Sequence, residues 1–220
     1  MRAAAVAAVL AFVALVGAGC DVEPVWRLRT FDYEVHTVDA AIASRMTPSS
    51  WRSGCPVALS DLRYVTLAYH GFDGDDHTGE LVLNASAVDD VVGVFRNLFL
   101  ERFPIETMRL VDDFGGDDDA SVAANNTSAF NCRPPTGGSG WSRHAYGLAV
   151  DINPLQNPYR YSDGHVMFPE AERFLDRSLD EPGMIHDGGL VVRSFAAIGW
   201  GWGGRFTTTK DYQHFSDNGR

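Results

Sequence analysis

Two stretches in the second half of the chain hold residue types able to bind and use a metal ion: Ser142-Arg143-His144-Ala145-Tyr146-Gly147-Leu148-Ala149-Val150-Asp151 and Asp211-Tyr212-Gln213-His214. Zinc accepts imidazole nitrogen and carboxylate oxygen, and a catalytic zinc site commonly takes three protein ligands with a fourth position left for water. His144, Asp151 and His214 supply those three. Asp211, three residues before the last ligand, is then placed to act as a base on the water without holding the ion. A single histidine-to-aspartate spacing is weak evidence in a chain with seven histidines, and the weight lies in its conjunction with Asp211-x-x-His214. His36, His70, His77, His165 and His186 lack partners of this kind and read as structural or surface residues, with His186 nearest the cleft.

A straight strand would carry His144 and Asp151 roughly 23 Å apart at about 3.3 Å per residue, so the chain must turn between them. Gly147 supplies the backbone freedom for that bend. The apolar, β-branched run 148–152 then predicts a strand with Ala149 and Asp151 on one face and Leu148, Val150 and Ile152 on the other. This puts His144 on the lip of a sheet and Asp151 within it. Elsewhere, 62–69 and 80–83 read as a β-pair around an Asp/Gly-rich loop. Val88, Val91, Val92, Phe95, Leu98 and Phe99 form one face of an amphipathic helix over 85–102, ended by Pro104. A strand is expected over 105–111, a second amphipathic helix over 188–198 and a short helix near 38–43. The class that follows is α+β, with helices on one side of a small, mainly antiparallel sheet and the zinc cleft on its other face. The loop 134–140 is flexible by composition and borders the cleft. Trp141, Trp200 and Trp202 belong to the core or the cleft wall.

Three blocks stand in order: Asn126-Thr127-Ser128-Ala129-Phe130-Asn131-Cys132-Arg133, then 142–159, then Gly199-Trp200-Gly201-Trp202-Gly203-Gly204 through His214-Phe215. Over about 64–215 the chain resembles the zinc D-alanyl-D-alanine carboxypeptidase and L-alanyl-D-glutamate endopeptidase family, whose fold is shared with the hedgehog signalling domain. The family's pattern of Ser, His, Gly and Asp falls on Ser142, His144, Gly147 and Asp151, and its acid-x-x-His falls on Asp211 and His214. The resemblance implies Zn2+ as cofactor and a peptidoglycan stem peptide as substrate. It also implies hydrolysis that either releases terminal D-alanine or cuts the L-alanyl-D-glutamate bond. Arg133 matches an arginine near the substrate carbonyl or carboxylate. Ser142 either bonds the substrate backbone or caps the turn before His144. A different class, a cell-wall-binding lipoprotein that holds zinc without catalysis, would be favoured if the base were missing, and Asp211 is present. A purely structural metal conflicts with a set of three protein ligands.

The 220 residues suit one sizeable core. Residues 1–20 carry one early arginine and an apolar run over 3–16, too short for a stable span, and read as an export signal. The small residues before Cys20 resemble a lipoprotein cleavage site with Cys20 as the lipidated residue; ordinary secretion is the alternative. Residues 21–56 read as a tether and entry segment, and 57–220 as the peptidase domain. Of three cysteines, the commitment of Cys20 leaves Cys55 and Cys132 as a disulfide pair, worth about 4 to 5 kcal/mol as a loop closure. Expected partners are the stem peptide and, through Cys20, a membrane, with a monomeric protein at the cell envelope. A net charge of -11 argues against nucleic acid, whose phosphates need Lys and Arg. The acidic runs near 73–76 and 112–119 read as solvated loops, without a full calcium-loop pattern.

Overall fold

The computed structural model describes residues 30–220; the signal over 1–20 and the Cys20 lipidation site lie outside the described residues. The principal sheet begins with β1 (Tyr33–Thr37), after which Asp39 caps helix α1 (Ala40–Met46) by accepting from the main-chain nitrogens of Ala41 and Ile42. Strands β2 (Leu62–Gly71) and β3 (Asp76–Asn84) form a long antiparallel hairpin in which Val65 faces Leu81 and Arg63 faces Leu83. β1 pairs antiparallel on the outer side of β2. Met46 at the end of α1 is fully buried, so this early segment is built into the same body as the hairpin.

Helix α2 (Val88–Leu100) buries Val88, Val91, Val92, Phe95, Leu98 and Phe99, the face expected from their spacing, and all of these but Phe99 share one cluster with Val65, Leu67, Leu81 and Leu83 of the hairpin. Full burial of a side chain such as Phe95 contributes about 1.5 to 3 kcal/mol. Beyond α2 the expected strand over 105–111 is broken. Pro104 and Ile105 (β4) pair parallel with β2, whereas Thr107 and Met108 (β5) pair parallel with Asn126 and Thr127 (β6) in a separate sheet. The change of sheet occurs at Glu106, whose main-chain nitrogen donates to Asn153 Oδ1 instead of to a neighbouring strand. Residues 111–114 then form a 3-10 turn. Asp117 caps the short helix α3 (Asp118–Ala123) that precedes β6.

The chemistry-bearing blocks lie on other small sheets. β7 (Ala149–Asp151) and, after β8 (Tyr159–Arg160) and helix α4 (Leu190–Ala197), β9 (Gly201–Trp202) flank the last strand. β10 (Lys210–Asp211) pairs with β8, and β11 (His214–Ser216) lies between β7 and β9. The α+β class is met, with the mostly antiparallel pairing of the described residues divided among four small sheets. Phe195 of α4 stacks on Phe215 of β11 with centroids 4.2 Å apart, fixing the rear of the three-stranded sheet to the core. Cys55 and Cys132 are joined by a disulfide with Cα atoms 5.9 Å apart. Among the described residues no helix is long and apolar enough to cross a membrane.

Candidate metal centre and cleft

In the β7–β11 register His214 lies directly opposite Asp151, and cross-strand neighbours on one face stand about 5 Å apart. Val150 and Phe215, the next pair, turn to the core, where both are fully buried. The alternation expected for 148–152 therefore holds. His144 differs from expectation. It sits on a 3-10 turn, Arg143–Tyr146, rather than on the lip of a sheet, and is only 3% exposed. Ser142 caps that turn by accepting from the His144 nitrogen at 3.3 Å. Gly147 ends the turn with φ 67°, and a side chain there would stand 2.5 Å from the Asn84 nitrogen. Both the left-handed backbone and the close approach require glycine. Asn84 holds the turn against the principal sheet, donating from its main chain to the Gly147 carbonyl and from its side chain to the Tyr146 carbonyl.

The three side chains meet. His144 Nε2 lies 3.1 Å from Asp151 Oδ2 and 3.2 Å from His214 Nδ1, which is 2.9 Å from Asp151 Oδ1. All three are buried, and their donor atoms lie within 4.8 Å of one another, a set that can hold a metal ion. The outer nitrogens are engaged as well: His144 Nδ1 donates to the Ala129 carbonyl and His214 Nε2 to the main-chain oxygen of Arg220 at 3.3 Å. Such outer bonds set which imidazole nitrogen faces a metal. The segment 126–133 thus has a structural task. Ser128 and Asp151 exchange two main-chain hydrogen bonds, of 3.0 and 2.9 Å, which bring the Ala129 carbonyl beneath His144.

Electrostatics bind the cluster together. Burial would raise the Asp151 carboxyl, but the charges and hydrogen bonds of His144 and His214 outweigh it and hold the group well below the usual carboxylate range. Burial disfavours charge on His214, yet its bond to Asp151 and the negative charge there lift it to about 9. A divalent ion among these atoms would take the place of the shared protons.

The cluster opens into a cavity of about 390 Å³ whose wall includes Arg133, Ser142, Asp211 and Gln213. Asp211 pairs with Tyr159 across β10 and β8, and its Oδ1 is enclosed without a hydrogen-bond partner. Burial pushes its carboxyl up to about 7; the positive charge of His214 opposes the shift and the negative charge of Asp151 adds to it. Five buried side-chain nitrogen or oxygen atoms lack a partner among the described residues, and three of them, Arg133 Nε, Asp211 Oδ1 and Gln213 Oε1, belong to residues of this cavity's wall. Buried polar groups ordinarily find partners, so their concentration here marks a place where a polar ligand completes the bonding. Gln213 had no signal in the sequence beyond adjacency to His214.

Trp141 borders the cavity while Trp200 and Trp202 are core residues, and Pro135 and Thr136 of the glycine-rich loop reach the cavity wall. His186 does not line it. His77 and His165 each bond a nearby aspartate at the surface. The acidic stretch at 112–119 is used structurally: Asp112 accepts from Ser50, Asp113 from Arg45, and Asp117 caps α3. Among the described residues no second group of metal-binding side chains accompanies the His–Asp–His cluster.

Comparison with known proteins finds a match to part of the chain. Residues 136–217 match a family model described as D-alanyl-D-alanine carboxypeptidase, a peptidase family and the one the sequence resembles. The matched span contains His144, Asp151, Asp211 and His214. No curated protein and no solved structure matches the chain.

Proposed function

We propose, from the match of residues 136–217 to the D-alanyl-D-alanine carboxypeptidase family model, that this protein is a zinc-dependent peptidase that hydrolyses the peptide stem of bacterial peptidoglycan. The observation that carries the proposal is the buried His144–Asp151–His214 cluster opening into the same cavity as the unpartnered carboxylate of Asp211. Two imidazoles and one carboxylate, each imidazole with its outer nitrogen bonded to a main-chain oxygen, fit zinc and leave room for a further ligand.

Bound there, zinc supplies Lewis acidity to the reacting carbonyl and water. Asp211 accepts the proton of the attacking water at Oδ1 and returns it to the leaving amine. A carboxyl lifted towards neutrality by burial is suited to both halves of that transfer. Arg133 Nε, an unpartnered donor in the wall, offers a hydrogen bond to a substrate oxygen. Ser142 serves the turn beneath His144, which leaves recognition of the substrate backbone to its neighbours. Export to the cell envelope, with or without a lipid on Cys20, belongs with this function because peptidoglycan lies outside the cytoplasmic membrane.

Zinc analysis of the pure protein together with mass spectrometry of digested muropeptides tests the proposal. Stoichiometric zinc and loss of one alanine, or separation of the stem, are expected. A zinc-loaded protein that leaves muropeptides intact would refute it.

A further inference from the structure

We infer that the Arg133–Asp118 pair makes this cleft select a peptide that continues past the bond to be cut over one that ends there in a free carboxylate; the inference rests on the peptidase function proposed above. Recognition of a terminal carboxylate by arginine uses two parallel N–H groups of a free guanidinium fork. The Arg133 guanidinium already faces a carboxylate and a carbonyl. One terminal nitrogen, Nη2, lies 2.8 Å from Asp118 Oδ2, and the other, Nη1, donates to the Pro134 carbonyl at 3.1 Å. Nε is enclosed and unpartnered. A cation whose charge is already met by Asp118 suits a neutral carbonyl oxygen better than a second carboxylate.

Asp118 is held in this place. Its other oxygen, Oδ1, accepts from Asn131 Nδ2 at 3.3 Å, and it opens helix α3 directly after the Asp117 cap. Asp119 stands beside it in the same cavity wall, so an incoming carboxylate meets two negative charges where a cation alone would have welcomed it.

The wall also holds an acceptor. Gln213 is 7% exposed, its Oε1 has no partner, and its main-chain oxygen is already taken by the Ile152 nitrogen at 3.1 Å. A continuing peptide presents both a carbonyl and an N–H, matching the unpartnered donor of Arg133 and the unpartnered acceptor of Gln213. A terminal carboxylate presents acceptors only.

The test compares three synthetic stem peptides that share a scissile bond: one ending in a free carboxylate one residue beyond it, the same peptide as its amide, and one extended by a further residue. Zinc-loaded wild-type protein should cleave the amide and the extended peptide with kcat/KM about tenfold above the free acid. Asp118→Asn should narrow that ratio by about fivefold or more, chiefly by lowering KM for the free acid, and Asp118→Glu should restore it. Wild-type preference for the free acid overturns the inference while leaving the peptidase proposal standing, as does an Asp118→Asn variant that alters all three substrates alike. Failure of the zinc-loaded wild type to cut any of the three removes the peptidase proposal and this inference with it.

Discussion

The hairpin with α2 and the three-stranded sheet of β7, β9 and β11 are both buried, yet they are held by different forces. Around α2 the contacts are aliphatic and aromatic, with Phe95, Leu98, Leu81 and Leu83 enclosed and no polar side chain of α2 among the buried residues. Around β11 the buried set includes His144, Asp151, Asn153, Asn157, Gln213, His214 and Ser216. Each such group must be compensated by a hydrogen bond or a charge. Asn153 and Asn157 achieve this through main-chain partners, among them the carbonyls of Pro104, Ile152 and Gly183. Arg177 lies over the Tyr212 ring at 4.5 Å and donates to the carbonyls of Gln156, Phe174 and Ile185. The lesson is a division of labour in which one region supplies stability by apolar burial and the other spends some of it on keeping polar atoms ready for a ligand.

The largest expected effect breaks the second region alone. His144→Ala or His214→Ala should abolish both zinc binding and peptidase activity while the protein stays folded by circular dichroism; stoichiometric zinc in either variant would remove these residues from the ligand set. Phe95→Ala makes the reciprocal test in the first region. It should lower unfolding free energy by about 3 to 5 kcal/mol, read by denaturant titration, with the metal affinity of the remaining folded protein unchanged.

Within the cleft, Asp211→Asn separates base from ligand. Turnover should fall about 10² to 10⁴-fold with zinc retained, and full activity in this variant would disprove the proposed proton transfer. The same variant has a pH signature in metal-free protein. Because the folded-state pKa of Asp211 is raised from 3.8 to about 7, the folded state binds more protons than the unfolded one across that window. Stability therefore declines as pH rises through it. Asp211→Asn should escape that decline and be the more stable protein at pH 8, by an amount on the order of 1 to 4 kcal/mol, with the gap closing near pH 4.

The smallest effect concerns the outer face of the hairpin, where Arg45 bonds Glu80 and Asp113. The bonds from Arg45 hold Glu80 below its usual value of 4.5. Its contribution is therefore complete above that value and is lost as pH falls through the lower folded-state pKa. Glu80→Gln should cost about 1 to 3 kcal/mol at pH 7 and progressively less in acid. An undiminished cost at low pH would show that packing, not charge, is responsible.

Local pattern determined much of this molecule before any tertiary contact was known. The 3.6-residue spacing of Val88 to Phe99 dictates α2, because only a helix brings those side chains to one face. The period of two across Ala149 to Ile152 likewise dictates which way Asp151 points. Residue chemistry singled out His144, Asp151 and His214, since few other side chains hold zinc, and flagged Asp211 beside them; Arg133 came from the family resemblance alone. What sequence left open depended on partners distant along the chain. The break at Glu106 follows from Asn153, 47 positions away, and the descent of His144 into a buried turn follows from Asn84 and Ala129. The neutralisation of Arg133 by Asp118 and the isolation of the Gln213 oxygen are likewise invisible in a one-dimensional pattern. Spacing reports the face on which a residue stands; only the folded chain decides which far-off main-chain or carboxylate oxygen meets it there, because those meetings are set by packing between elements and not by the geometry within one.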